Sequence, residues 1–106
     1  MPDDPELAVL TARFDPMPGS EEPLTAVLAR YVVLTRQMPM CRNIDLLASA
    51  SRPGRLLLVE KWESAAGARA HLDSPEMAEM AAAAIGHLAA RPEVDLYDTI
   101  SAHDLY

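Results

Sequence analysis

The sequence has 106 residues, half of them hydrophobic and 24% charged, with a formal net charge of −7 from 16 acidic and 9 basic side chains. This length and balance describe one globular domain over residues 1–106 and argue against disorder. No Lys/Arg cluster offers a footprint for nucleic acid or for an anionic membrane surface, and no apolar run approaches the roughly 20 residues of a membrane span.

Residues 7–14 read as a first strand, bounded by Pro5 and by Pro16, Pro18 and Gly19. Ser20 offers an N-cap, Glu21 and Glu22 suit the positive end of a helix, and Pro23 is tolerated in a first turn. Leu24, Val27, Leu28, Tyr31, Thr35 and Met38 recur at three- and four-residue steps, which makes one helical face that Pro39 ends. Residues 43–51 read as a second strand with Ile44, Leu46, Ala48 and Ala50 on one side.

Arg52-Pro53-Gly54-Arg55 is a turn signal, because proline fits its first central position and glycine accepts the positive φ of the second. Residues 55–62 then form a third strand, antiparallel to the second. Its run Leu56-Leu57-Leu58-Val59 is apolar on both faces, which predicts a central strand covered on each side. Ser64 caps a helix that Gly67 weakens. Asp73-Ser74-Pro75 breaks it and starts a second piece with the apolar stripe Met77, Met80, Ala81, Ala84, Ile85 and Leu88. After Arg91-Pro92, Val94, Leu96, Asp98 and Ile100 alternate in a fourth strand. The order β-α-β-β-α-β is the ferredoxin-like α+β arrangement, with a four-stranded antiparallel sheet.

No dinucleotide fingerprint, phosphate loop or nucleophile elbow occurs. His71, His87 and His103 are widely separated, and none stands at a metal-ligand spacing from another His or from Cys41. A single cysteine excludes an internal disulfide, and the start Met-Pro-Asp-Asp-Pro-Glu lacks the pattern of a secretion signal, so a cytoplasmic location is expected. Chemistry here has to come from a pocket and its electrostatics.

Glu60 is an acid in an otherwise apolar strand and shares a face with Leu58 and Trp62. Buried in a dry pocket it serves as a general base or acid; its ordinary alternative is a salt bridge with Arg13 or Arg42. Trp62 either walls an aromatic-binding pocket by offset stacking or packs between sheet and helix. His71 exchanges protons near neutral pH, or is a structural helix histidine. Tyr31, Met77 and Met80 read as core or pocket lining. Cys41 reads as a small buried hydrophobe, and His87 as lying on the outer side of its helix.

The segment Leu57-Leu58-Val59-Glu60-Lys61-Trp62-Glu63-Ser64, followed by Ala70-His71-Leu72 and Ser74-Pro75, resembles the signature of the antibiotic-biosynthesis monooxygenase-like domains. Met38-Pro39-Met40-Cys41 stands where that family often has Pro-Gly-Cys, with Met40 in place of the glycine. The resemblance implies a dimeric α+β barrel, in which two sheets pack face to face and each subunit holds a pocket between sheet and helices. Haem-degrading members place an Asn, a Trp and a His at positions that here hold about Ala12, His71 and Met80, so haem degradation is not expected. Polyketide-oxidising members use the strand-end Trp, which Trp62 matches, but their Asn, Tyr and Arg fall on Leu58, Ala68 and about Ala81.

What the resemblance implies is a homodimeric, cofactor-independent monooxygenase that oxidises an electron-rich anthrone, phenol or quinol with dioxygen. In that reading His71 is the base, Glu60 orients it or substitutes for it, and Trp62 holds the ring. Leu58, Tyr31, Met77 and Met80 line the pocket. The alternative is a non-catalytic dimeric binding or accessory module for a small hydrophobic or aromatic molecule, which the missing Asn, Tyr and Arg favour. An isomerase would need a polar pocket, which this Leu/Ala/Met-rich chain does not offer.

Overall fold

The computed structural model describes residues 7–101, so the N-terminal residues 1–6 and His103 lie outside the described residues. The strands are β1 (Ala8–Phe14), β2 (Cys41–Ala48), β3 (Leu56–Trp62) and β4 (Glu93–Asp98). The helices are α1 (Glu21–Thr35), α2 (Ala65–Leu72) and α3 (Pro75–Ala84), which runs into a 3₁₀ turn at Ile85–His87. The sheet order is β2-β3-β1-β4 and every pairing is antiparallel. This is the ferredoxin-like fold that the element order predicts. No helix among the described residues is long and apolar enough to cross a membrane.

Register decides what faces the helices. Ala8 stands opposite Trp62, Leu10 opposite Glu60, Ala12 opposite Leu58 and Phe14 opposite Leu56. Directly opposed residues share a sheet face, so these eight side chains form one buried surface. Leu24, Leu28, Tyr31, Val32 and Thr35 of α1 are buried against the rest of the fold, which is the stripe the three- and four-residue spacing marks. The β2–β3 turn is closed by the Arg55 N–H donating to the Arg52 carbonyl at 3.1 Å, with Gly54 at φ 87°. That conformation is the reason for glycine there.

Several expectations are corrected. β3 is central, but among the described residues helices cover one of its faces only: Leu57, Val59 and Lys61 on the other face are half-buried. Ser20 stands at the start of α1 without making a side-chain cap; its φ −103°, ψ 8° are not the extended values of a capping residue, and its hydroxyl instead lies 3.3 Å from His87 Nδ1. That contact leaves His87 half-buried rather than on the outer side. Ile85 is 74% exposed although it keeps α geometry and its N–H bonds the Ala81 carbonyl; Ala81, one turn earlier on the same side, is exposed as well, so the buried part of the α3 stripe is Met80 and Ala84. Ser64 does cap α2, accepting from the Gly67 N–H at 3.0 Å. Gly67 has a packing reason as well, since a Cβ there would meet the Met40 side chain at 3.1 Å.

β2 begins two residues earlier than the alternation of Ile44, Leu46 and Ala48 indicates. A register shift between Cys41 and Asn43 puts Cys41 opposite Trp62 while Ile44 remains opposite Glu60. One extra residue is absorbed there, as in a β-bulge, and Cys41 is turned to the helix side. It is half-buried and packs against both apolar clusters of the core.

Candidate active site

Three elements converge on one polar cluster inside this apolar shell. Two-residue alternation on β3 brings Glu60 and Trp62 to the buried face. Tyr31 comes from the buried stripe of α1, and His71 from the face of α2 that also buries Ala68. Glu60 is fully buried, and Tyr31, Trp62 and His71 are 2%, 2% and 4% exposed. The Tyr31 hydroxyl donates to Glu60 Oε2 at 2.8 Å and lies 2.6 Å from His71 Nε2. The Trp62 indole N–H donates to Glu60 Oε1 at 3.0 Å. The His71 ring lies over the indole, with centroids 4.5 Å apart and planes inclined by 32°. On its far side, His71 Nδ1 is 3.4 Å from the hydroxyl of Ser74, the residue that caps α3.

A buried carboxylate without partners costs several kcal/mol. Glu60 meets that cost with two neutral donors rather than with an arginine. Arg13, one expected partner, lies on the opposite face of the sheet and pairs with Glu93. Neutral donors do not cancel charge, so burial raises the Glu60 pKa, and the hydrogen bonds from Tyr31 and Trp62 offset this only in part. Burial pushes His71 the other way, below the usual imidazole range, with Glu76 pulling weakly back. Burial and the Glu60 charge together drive the Tyr31 phenol far above its ordinary value, so Tyr31 stays protonated. The site therefore combines a basic carboxylate, a neutral imidazole and a phenol that joins them.

The residues read from the sequence separate into two groups. Glu60, Trp62, His71 and Tyr31 form one hydrogen-bonded cluster, with Leu58 fully buried in the neighbouring core beside Ala12 and Phe14. Met77 and Met80 instead border an apolar cavity of about 170 Å³ under α3, together with Phe14, Leu88 and Val94. Met80 also borders a groove between α1 and α3, which Tyr31, Arg30 and Glu76 line as well. A dry cavity of about 150 Å³ is enough to hold benzene, so the apolar space suits a single aromatic ring.

His71 and Glu60 are not hydrogen-bonded to each other: Nε2 and Oε1 are 3.8 Å apart, and the Tyr31 hydroxyl bridges them. Sequence reasoning placed Tyr31 in the lining and missed it as the link, because its partners stand 29 and 40 positions away. It also missed Ser74 as a partner of His71. A serine at a helix N-cap three residues after a histidine was the available signal. Among the described residues no group of three or more His, Cys, Asp or Glu side chains is placed to hold a metal ion.

A ferredoxin-like sheet with a buried acid, phenol, imidazole and indole under its helices makes this a small α+β domain with a polar cluster in its core. The chain belongs to the antibiotic biosynthesis monooxygenase family, whose sequence model matches residues 8–83. It is similar in structure to Rv0793 from Mycobacterium tuberculosis, with a TM-score of 0.84 and 28% identity over 92% of this chain and 99% of that one. NE2512 from Nitrosomonas europaea, a protein of unknown function, superposes with a TM-score of 0.83 at 21% identity, over 97% of this chain and 98% of its own. A solved antibiotic biosynthesis monooxygenase superposes with a TM-score of 0.79 at 21% identity, over 89% and 99% of the two chains. At 21% identity, the last two likenesses speak for the fold. No curated protein matches the sequence.

Proposed function

We propose that this protein is a cofactor-independent monooxygenase that oxidises an electron-rich anthrone, phenol or quinol with dioxygen. The observation that carries the reading is the buried His71–Tyr31–Glu60 chain, which couples a basic carboxylate to a neutral imidazole inside an apolar shell. Removal of a proton from such a substrate leaves an anion that reduces dioxygen by itself. For an anthrone-type methylene the balance is CH₂ + O₂ → C=O + H₂O, so one oxygen atom enters the product and the other leaves as water. The protein's part is to orient the ring, exclude water and accept the proton. The space for the ring is sought around Met80, which borders both the groove that Tyr31 lines and the apolar cavity under α3. Oxygen uptake over a panel of anthrones and quinols tests this. Wild type is expected to consume oxygen, and His71→Ala and Trp62→Phe to lose most of that rate while keeping a folded circular-dichroism spectrum. A panel without turnover, or turnover indifferent to both substitutions, removes the reading.

The functional unit of this reading is a homodimer in which two sheets face each other. Its support is the sheet face that no helix among the described residues covers, where Leu47 and Tyr97 are 47% and 49% exposed and Leu57 and Val59 half-buried. Burying such a face supplies a small domain with the apolar area that its own core lacks. Light scattering at micromolar concentration is expected to give twice the 11.5 kDa of the chain, and a monomer mass rejects the dimer.

One observation favours a second reading, a non-catalytic binding module of the same pocket. The cluster's side chains satisfy one another, and none is more than 4% exposed. Tight binding of a panel compound without oxygen uptake is the result that selects it.

A further inference from the structure

With Glu60 ionised, the cluster admits one self-consistent placement of hydrogens. An ionised carboxylate only accepts, so Glu60 takes the Trp62 N–H on Oε1 and the Tyr31 O–H on Oε2. Tyr31 has a single hydrogen, already given to Glu60. Its 2.6 Å contact with His71 must then be filled by a hydrogen on Nε2. A neutral imidazole with its hydrogen on Nε2 has a bare lone pair on Nδ1. Ser74 faces that atom at 3.4 Å. Its oxygen accepts from the Met77 N–H at 3.2 Å as the cap of α3, which leaves the hydroxyl hydrogen free for Nδ1.

We propose that Ser74 is a positioning residue that completes this hydrogen-bond chain by donating to His71 Nδ1, so that the chain runs from Ser74 to His71 to Tyr31 to the Glu60 carboxylate and Glu60 rather than His71 is the terminal proton acceptor. The catalytic half of this inference rests on the oxidation proposed above; the direction of the chain does not. His71 carries its hydrogen on the nitrogen facing Tyr31, and its other nitrogen is covered by Ser74, so it has no lone pair to offer a substrate. A substrate hydroxyl that meets Tyr31 passes its proton to Tyr31 Oη as the phenolic proton passes to Glu60 Oε2. One proton moves from substrate to Glu60, Tyr31 ends neutral as it began, and the His71 N–H supports the phenolic oxygen during the exchange.

The groups around the chain are compatible with this direction. Burial keeps the imidazole in its neutral form, and Glu76 on α3 is the acid that acts on it from that side. Cys41, on the β2 side of Glu60, has its thiol pushed up by burial and by the Glu60 charge, so it adds no second anion.

The test is the position of the imidazole hydrogen, read from the ¹⁵N shifts of His71 at neutral pH with no substrate present. Wild type and Ser74→Thr, which keeps both cap and hydroxyl, are expected to carry it on Nε2. Glu60→Gln imitates a protonated acid. Its amide oxygen accepts from Trp62 and its NH₂ donates to Tyr31, whose hydrogen turns to Nε2 and moves the imidazole hydrogen to Nδ1. Ser74→Asp keeps the cap but offers only acceptors, so it too draws a hydrogen onto Nδ1. A wild-type imidazole protonated on Nδ1, or a proton that stays on Nε2 alone in either Glu60→Gln or Ser74→Asp, overturns the proposal. Because no substrate enters the measurement, its failure is distinguishable from an absence of turnover with anthrones and quinols.

Discussion

Tyr31→Phe is expected to lower turnover of an anthrone or quinol by about 100-fold or more, the range over which a positioned acid or base contributes. The substitution keeps the ring that borders the groove between α1 and α3 and removes only the hydroxyl. That hydroxyl is hydrogen-bonded to both Glu60 and His71. Without it the carboxylate and the imidazole remain 3.8 Å apart at their Nε2–Oε1 contact, too far for a hydrogen bond, and the proton path is cut. The loss should fall on kcat more than on KM, since apolar contacts to the ring are untouched. Stability should fall as well, by about 1–3 kcal/mol, because buried partners lose a hydrogen bond and nothing replaces it. A Tyr31→Phe enzyme within about threefold of wild-type kcat would mean that the proton leaves by another route.

Glu60→Gln is expected to divide activity from stability. Oxidation should fall by about 100-fold or more, because an amide accepts no proton at neutral pH. The fold, in contrast, should become more resistant to denaturation at pH 7. Burial raises the Glu60 pKa above its ordinary 4.5, so between that value and the folded one the native chain holds a proton that the unfolded chain has released. The stability this group contributes is therefore full below the unfolded pKa and is lost as pH rises through the folded pKa. Glutamine removes that loss. His71 runs in the opposite sense: its folded pKa is depressed below 6.5, so stability falls as pH drops through the range below that value. Urea melts of wild type and Glu60→Gln between pH 4 and pH 8 read the effect of the carboxylate together with its coupling to His71. The difference in midpoint should open as pH rises from the acid end. A Glu60→Gln midpoint below wild type at pH 7 would show that the buried charge is a net support for the fold.

Both effects come from the same arrangement. The acid is held where its charge is poorly solvated, and this makes it basic enough to take a proton and costly enough to weaken the fold. Functional groups in apolar surroundings commonly carry this tension.

Much of the fold is local in origin and was readable from neighbouring residues. Two-residue alternation on β3 put Leu58, Glu60 and Trp62 on one face, and the three- and four-residue steps of α1 put Tyr31 with Leu24 and Leu28. Gly54 and Pro53 marked the β2–β3 turn through their own backbone preferences. The Trp62 to Ser74 segment also carried the family resemblance that the match over residues 8–83 bears out. Where the local signal failed, a distant contact was in charge. The register shift at Cys41 breaks the alternation that a strand is recognised by, so that end of β2 was read as beginning at Asn43. Ser20 turned to His87, 67 positions away.

The Trp62–His71 pairing shows the same boundary at the site itself. Residue types and spacing were sufficient to nominate Glu60, Trp62 and His71, because an isolated acid, indole and imidazole in an apolar context are unusual on energetic grounds alone. They did not reveal what the acid would be paired with. An arginine was the ordinary partner to expect, since opposite charge is the strongest local compensation for a buried carboxylate. The folded chain uses Tyr31 and the Trp62 indole instead, because the antiparallel register and the packing of α1 and α2 over β3 bring those donors within 3.0 Å of Glu60. Hydrogen bonding at that range depends on tenths of an ångström between elements far apart in the chain. Periodicity and composition are blind to such distances, and only the packed sheet and helices set them.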